Sequence, residues 1–286
     1  MDASSRPTGT LYVVSTPIGN LEDITFRAVR TLKEVDQIAA EDTRRTKILL
    51  AHYGIKTPLT SYHEHNKQRK GGQLVSSLKD GRNLALVSDA GTPGISDPGY
   101  HLIKLALESS ISVIPIPGVS AVITALSISG LPTDSFIFQG FLPRKKEARR
   151  HILKDLKGDR RTVIFYESPQ RIVTTLSDLL EIWGDRRAVV TRELTKLFEE
   201  VIRGTTEEIL YILKNRQIKG EVTLLVSGNT DLNERDPISI SQLIQSYQAL
   251  YDLSMKDLAN MISVEEGISK REVYQEILKL KKKNAP

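Results

Sequence analysis

Residues 84–99 read Leu-Ala-Leu-Val-Ser-Asp-Ala-Gly-Thr-Pro-Gly-Ile-Ser-Asp-Pro-Gly, and this stretch decides the fold. The four apolar residues 84–87 predict a short buried strand. Two Asp, three Gly and two Pro then crowd into residues 88–99. Asp97-Pro98 predicts a helix start, with Asp as N-cap and Pro at the first helical position. The pattern is strand, long shaped loop, helix, and ordinary connections of this kind run only about 2–6 residues. In an open α/β sheet, ligands bind at the carboxyl ends of the strands. Gly91 and Gly94 let backbone approach a ligand closely, and Pro93 and Pro98 hold the loop's shape.

The loop is not a P-loop, and the chain contains no G-x-G-x-x-G. Glycine without a phosphate-binding Lys suits a ligand that lacks a phosphate chain. Asp89 points the same way: it repels phosphate, and it accepts hydrogen bonds from hydroxyls or lies near a cation.

The pattern repeats outward from this stretch. Strands are predicted at 11–15, 37–40, 84–87 and 112–115, with helices at 24–35, 43–53, 67–79, 100–109 and 122–128. Such β-α alternation predicts a mainly parallel sheet with helices on both faces. Ser120 and Ala121 fall at the start of the last of these helices, where backbone N–H groups are free. Gly130-Leu-Pro-Thr133 reads as a linker. Further strands follow at 135–139, 162–166, 187–191 and 221–227, with helices from Pro169 and at 207–213. Two successive α/β halves with unusual residues in their strand-end loops predict a ligand cleft between them. From residue 231 the pattern is helical only, at 240–251, 255–262 and 270–280, with Ser254 and Ser269 as N-caps and a basic end, Lys279-Leu-Lys-Lys-Lys283. The expected division is therefore 1–130, 131–230 and a helical appendage, 231–286.

The 286 residues carry 40% hydrophobic and 26% charged side chains and a formal charge of +5, ordinary for a globular protein of about two domains. No apolar run reaches the about 18 residues of a membrane span. The start of the chain is polar, so no signal peptide is expected. The absence of cysteine excludes disulfides and thiolate metal sites and fits a reducing cytoplasm. The positive charge is clustered: residues 144–161 hold nine Lys or Arg against three acids. With residues 44–47 and the tail lysines, this predicts a phosphate-tracking, salt-sensitive nucleic-acid surface. Histidines gather only at Ser61-Tyr-His-Glu-His-Asn66. His63 and His65 lie two apart with no third ligand, so no metal site is expected and the segment reads as polar loop facing a groove.

Seven motifs occur in one order: Thr16-Pro-Ile-Gly-Asn-Leu, Ala40-Glu-Asp-Thr-Arg44, Val87-Ser-Asp-Ala-Gly-Thr-Pro93, Pro117-Gly-x-Ser-Ala121, Gly140-Phe-Leu-Pro143, Phe165-Tyr-Glu-Ser168 and Arg192-Glu-Leu-Thr-Lys196. In these motifs the sequence resembles the tetrapyrrole methylase superfamily (class III S-adenosylmethionine-dependent methyltransferases), and within it the branch that acts on 16S rRNA. The resemblance covers about residues 11–228 and continues weakly into the helical tail. Val119 departs from the branch, which commonly has Pro or a small residue there; it sits in the turn, not at the Ser-Ala pair.

The resemblance implies two α/β domains of the tetrapyrrole methylase type with the donor in the cleft between them, and a homodimer. It also implies methyl transfer from S-adenosylmethionine to the ribose 2′-OH of a cytidine in the decoding centre of 16S rRNA, in the 30S subunit, in the cytoplasm. It places donor contacts at Ile18, Asp89, Thr92, Ser120, Ala121, Tyr166, Leu194 and Thr223.

Attack of a ribose oxygen requires loss of its proton. The candidate bases are Glu41, Asp42, Glu167 and Glu193, with Arg44, Arg171, Arg192 and Lys196 holding phosphate or ribose. Each acid has an Arg or Lys nearby, which tends to lower its pKa. Phe141 and Tyr62 are candidates for stacking on the cytidine. Two competing functions remain at this point, a methylase of a small tetrapyrrole and a non-catalytic RNA-binding protein. The basic helix and helical tail argue against the first, the intact loop at 88–93 against the second.

Overall fold

The computed structural model describes residues 7–230, 240–251, 253–266 and 268–283. Residues 1–229 form one compact unit and 230–286 a second. The first unit begins with β1 (Thr10–Val14), α1 (Phe26–Glu34), β2 (Gln37–Ala40), α2 (Thr43–His52), β3 (Leu59–Ser61), α3 (Lys67–Lys79), β4 (Leu84–Val87), α4 (Gly99–Glu108), β5 (Ser112–Ile116) and α5 (Ala121–Ser127). These five strands pair in the order β3-β2-β4-β1-β5, all parallel. Leu74, Leu78, Leu102 and Ala106, on α3 and α4, cover one face; Ala28, Leu32 and Leu50, on α1 and α2, cover the other. A parallel sheet buried on both faces reads as continuous apolar runs, which is why Leu84–Val87 is apolar and buried throughout.

The second half runs β6 (Phe136–Phe141), α6 (Lys146–Leu156), β7 (Thr162–Glu167), α7 (Ile172–Trp183), β8 (Arg187–Arg192), β9 (Glu200–Thr205), α8 (Thr206–Lys214) and β10 (Val222–Val226). Its sheet has the order β6-β7-β10-β8-β9 and is mixed: only β6 and β7 are parallel. Val122, Ala125 and Leu126 of α5 share one buried cluster with Ile164, Val189 and Leu225 of this sheet. That packing fixes the two sheets against each other within one unit. The expected linker takes part in it: Leu131 is buried, and Thr162 Oγ1 donates to the Pro132 carbonyl at 2.7 Å.

The second unit contains α9 (Ile240–Leu250), α10 (Met255–Glu266) and α11 (Lys270–Lys283), closed over Ile244, Leu258, Ala259, Ile262, Val273 and Ile277. Ser254 Oγ accepts the Asp257 N–H, so the expected cap on α10 forms. Lys279 pairs with Glu276 at 3.0 Å; the side chains of Lys281, Lys282 and Lys283 lie outside the described residues.

Four details differ from the sequence reading. β3, of three residues, and β9, an edge strand beginning at Glu200, carry too little apolar pattern to stand out. The helix from Asp97-Pro98 starts at Gly99, with Pro98 at the N-cap; the Asp97 carboxylate still accepts the Gly99 N–H at 2.7 Å and the Gly94 N–H at 2.8 Å. The basic segment is helical only over Lys146–Leu156 and is less free than its composition suggests. Arg149 is buried against Asp178 at 2.6 Å, Arg150 pairs with Asp178 and Glu181, and Arg161 pairs with Asp159. Tyr62 is a core residue, 1% exposed, with its hydroxyl 3.0 Å from His101 Nδ1, so it cannot stack on a nucleotide. Burial pushes that phenol up to about 12.

Candidate active site

β1 and β4 are neighbours, so their carboxyl-end loops lie side by side. Thr16 and Gly91 exchange backbone hydrogen bonds at 2.9 and 3.0 Å, and Ser15 Oγ meets Thr92 Oγ1 at 2.9 Å. Gly91 has φ +80°, a conformation that costs an L side chain. This braced pair of loops forms one wall of a cavity of about 390 Å³ at the ends of both sheets. The opposite wall comes from β7 and from the start of β10. Because β10 runs antiparallel to β7 and β8, its amino end, Gly220-Glu221-Val222, lies beside their carboxyl ends.

Seven of the eight expected donor contacts line this cavity: Ile18, Asp89, Thr92, Ser120, Ala121, Tyr166 and Thr223. Leu194 does not; it lines a small adjoining void with Ile18, Ala121 and Thr223. Ser120 is the N-cap residue of α5, yet its side chain makes no capping hydrogen bond, which leaves the hydroxyl available. Tyr166 packs edge-on against Phe138 at 4.9 Å and tilted against Phe141 at 5.5 Å. Burial pushes its phenol up to about 12. Phe141, 57% exposed, also lines the cavity. Arg144, Lys145 and Lys146 follow it as an exposed basic run.

The candidate acids separate by environment. Asp42 caps α2 and forms a two-pronged pair with Arg44, whose guanidinium holds the carboxyl well below the usual range. Glu193 is held low chiefly by its hydrogen bond from Lys196, at 2.8 Å. Burial works to lower the Lys196 ammonium, but Glu193 and Glu221 together outweigh it and raise it. Glu167 is turned into the protein. Its carboxylate accepts the Ser168 N–H and the Thr175 hydroxyl, each at 2.7 Å, and pairs with Arg171 at 2.5 Å. Arg192 is engaged by Glu200 at 3.1 Å and by the Lys219 carbonyl at 3.2 Å.

Glu41 differs from all of these. It lines the cavity, and its carboxylate accepts the Asp89 N–H at 3.3 Å. Burial, and the neighbouring charges of Asp89 and Asp97, raise its pKa above the ordinary carboxylate value. Asp89 itself accepts the Asp42 N–H at 2.8 Å and faces Arg45 at 3.6 Å.

Of the expected catalytic residues, Glu41 and Glu167 line the main cavity and Lys196 lines its neighbour; Asp42, Arg44, Arg192 and Glu193 stand outside both. Asp97, Arg45, Gly220, Glu221 and Val222 were not anticipated on the wall. Asp97 sits inside the opening stretch 84–99 and Arg45 inside the basic stretch 44–47, whereas Gly220-Glu221 gives no signal until the strand direction is known. Among the described residues no group of three or more His, Asp or Glu is placed to hold a metal ion. The His63 and His65 rings lie 6.1 Å apart. No described helix is long and apolar enough to cross a membrane.

Two sheets of these orders, with a cleft at their facing ends, define a tetrapyrrole-methylase-type protein, and residues 10–210 match the family of Tetrapyrrole (Corrin/Porphyrin) Methylases. The fold is that of a cobalt precorrin-4 methyltransferase (TM-score 0.59, 17% identity, 76% of this chain and 94% of that one). It is also that of a uroporphyrin-III C-methyltransferase from Thermus thermophilus solved with S-adenosylhomocysteine (TM-score 0.55, 19% identity, 76% and 97%).

Much nearer in sequence are proteins called ribosomal RNA small subunit methyltransferase I. The one from Halalkalibacterium halodurans is 53% identical, with 93% of each chain covered. Those from Bacillus subtilis and Escherichia coli O157:H7 are 47% and 46% identical, each over 93% of this chain and 93% and 94% of theirs. The chain belongs to this family and is a methyltransferase.

Proposed function

We propose that this chain transfers a methyl group from S-adenosylmethionine to the ribose 2′-OH of a cytidine in the decoding centre of 16S rRNA, within the small ribosomal subunit. The observation that carries the reading is the cavity at the sheet ends: an acidic lining that includes Glu41, Asp89 and Asp97, apolar walls and no phosphate loop, beside the exposed basic run 144–146. S-adenosylmethionine has no phosphate and bears positive charge at its sulfonium and amino groups. Glu41, Asp89 and Asp97 complement those charges. Ile18, Tyr166 and Val222 supply apolar contact, and Ser120 a free hydroxyl. The 390 Å³ volume lies within the usual range for small-molecule sites. The relatives' name supports the rRNA acceptor, and the S-adenosylhomocysteine held by the Thermus thermophilus protein supports the donor.

When bound, the donor supplies an electrophilic methyl carbon on a good leaving sulfur. The ribose oxygen forms its bond to that carbon as the carbon–sulfur bond breaks, its electron pair going to sulfur. The proton leaves the ribose oxygen. Positioning within the cleft supplies most of the rate. Glu41 takes the proton: of the four candidate acids it is the one without a cation hydrogen-bonded to it, and burial makes it a stronger base than an ordinary Glu. Asp42, Glu193 and Glu167 are each committed to Arg44, Lys196 and Arg171. The enzyme acts as a homodimer in the cytoplasm, which light scattering and cell fractionation check.

The decisive experiment is transfer of labelled methyl into 30S subunits lacking the modification, followed by mapping of the product. A single 2′-O-methylcytidine in the decoding centre is the expected result. Donor binding without incorporation into subunits or free rRNA overturns the acceptor and leaves the fold class intact.

A further inference from the structure

A second cavity, of about 240 Å³, adjoins the first on the side of α2. The two share Ile18, Arg45, Ser88, Asp89, Ala90 and Glu221, so they meet at the braced strand-end loops. Its character is different. Arg45 and Lys196 bring two cations to its wall beside the carboxylates of Asp89 and Glu221, Lys196 being paired with Glu221 at 3.2 Å, and Leu21, Ile48 and Leu49 bring apolar surface. Cations beside apolar surface suit a nucleotide, with its anionic linkage and its flat, largely apolar sugar–base face.

Arg45 is the cation free to take a phosphate. Its side chain is 63% exposed, and its ion pair with Asp89 is long, at 3.6 Å. Arg44, its neighbour, is locked onto Asp42 through two nitrogens. Ile48 lies one helical turn beyond Arg45 on α2, so the two side chains share a face, and it is 67% exposed despite being a large aliphatic. Lys196 reaches this wall across Gly19, where an added Cβ would sit 2.3 Å from Lys196 Cγ.

We propose that this second cavity receives the acceptor nucleotide. Arg45 holds its phosphate, Ile48 covers its sugar–base face, and its ribose oxygen meets the donor across the shared loops at Ile18 and Asp89. The inference rests on the methyl-transfer reading and adds where the RNA enters. One turned-out nucleotide fits here; a folded duplex does not.

The test measures two things for Arg45→Ala, Arg45→Lys and Ile48→Asp: S-adenosylhomocysteine affinity by calorimetry, and initial transfer rates against concentration of unmodified 30S subunits at several salt concentrations. Arg45→Ala is expected to raise KM for subunits about tenfold, with a salt slope shallower by about 1. Arg45→Lys recovers most of the KM. Ile48→Asp, which sets a charged carboxylate against the sugar–base face, raises KM with donor binding intact. Unchanged KM and salt slope in Arg45→Ala overturns the proposal, as does a donor affinity weakened more than about fivefold in Ile48→Asp, which assigns the cavity to the donor because Ile48 lines the second cavity and not the first. Wild-type enzyme that binds donor and transfers nothing to subunits overturns the underlying function, a result distinct from either variant outcome.

Discussion

Replacing Glu167 separates a structural carboxylate from a catalytic one. The side chain has no exposed surface, and both its oxygens are engaged. Oε1 takes the Ser168 N–H and an Arg171 nitrogen; Oε2 takes the Thr175 hydroxyl. A Gln keeps one oxygen for Ser168 and turns its NH₂ toward Thr175, whose hydroxyl can rotate to accept. What Gln cannot keep is the charge opposite Arg171. A hydrogen bond to a charged group contributes about 1.5–3 kcal/mol, and breaking a buried pair costs about 3–5 kcal/mol. Arg171 is 21% exposed and retains the Leu142 carbonyl at 2.9 Å and Ser168 Oγ at 3.2 Å, so the lower part of that span applies.

Glu167→Gln should therefore lose about 2–3 kcal/mol, and Glu167→Ala, which also leaves a cavity, about 3–5 kcal/mol. At roughly 2–4 °C per kcal/mol for a unit of this size, Tm falls by about 4–12 °C for Gln. Thermal unfolding followed by circular dichroism reads this, and transfer assays run well below both transitions read activity. A kcat for Glu167→Gln within about threefold of wild type is expected. A variant that unfolds like wild type but loses about 100-fold in kcat refutes the reasoning and makes Glu167 a base.

Glu41→Gln should lower kcat about 100-fold or more, with the donor still bound. In wild type the acid limb of the kcat profile should lie above the ordinary carboxylate value, because activity needs Glu41 ionised and its pKa is raised. Since ionising a raised carboxyl costs stability as pH rises, Glu41→Gln should be no less stable than wild type at neutral pH, as thermal unfolding will report. The sign is opposite for Glu193, whose folded pKa is depressed: its contribution is present above the ordinary value of 4.5 and is lost as pH falls through the folded value. Glu193→Gln should accordingly show a smaller loss of Tm between about pH 5 and pH 3 than wild type. Gly220→Ala should weaken S-adenosylhomocysteine binding in calorimetry and lower Tm. The glycine has φ +88°, and its added Cβ would sit 2.4 Å from Glu193, on the loop that meets the cavity wall.

How far the sequence could be read followed from which forces are local. The parallel sheet was legible because a strand buried on both faces must be apolar at every position, and Leu84–Val87 is. Its loop was legible because positive φ demands glycine, and Gly91 and Gly94 stand at +80° and +90°. Three-residue β3 and edge strand β9 were not, since neither carries enough buried residues to leave a period. Burial misled at Tyr62, whose neighbours in sequence are polar but whose ring closes the core under α4 through His101.

The site divides along the same line. The strand-end loops could be anticipated from the rule that ligands bind there, the resemblance singled out Ile18, Asp89 and Thr92 within them, and all three line the cavity. Gly220 and Glu221 escaped that rule because they precede a strand rather than follow one, and only the antiparallel run of β10 brings its amino end to the same rim. Charge was the least legible property of all. In sequence every candidate acid has a cation close by, yet in space Asp42, Glu167 and Glu193 each meet theirs at 2.8 Å or less, while Glu41 is hydrogen-bonded by a backbone N–H, and burial with the like charges of Asp89 and Asp97 outweighs the attraction of Arg45. A chain that spends three of its four candidate acids on local ion pairs leaves the fourth poorly solvated and unpaired beside its cleft. That arrangement costs stability at neutral pH, and a carboxyl kept at such a cost beside a cleft is the physical reason to look for the proton acceptor at Glu41.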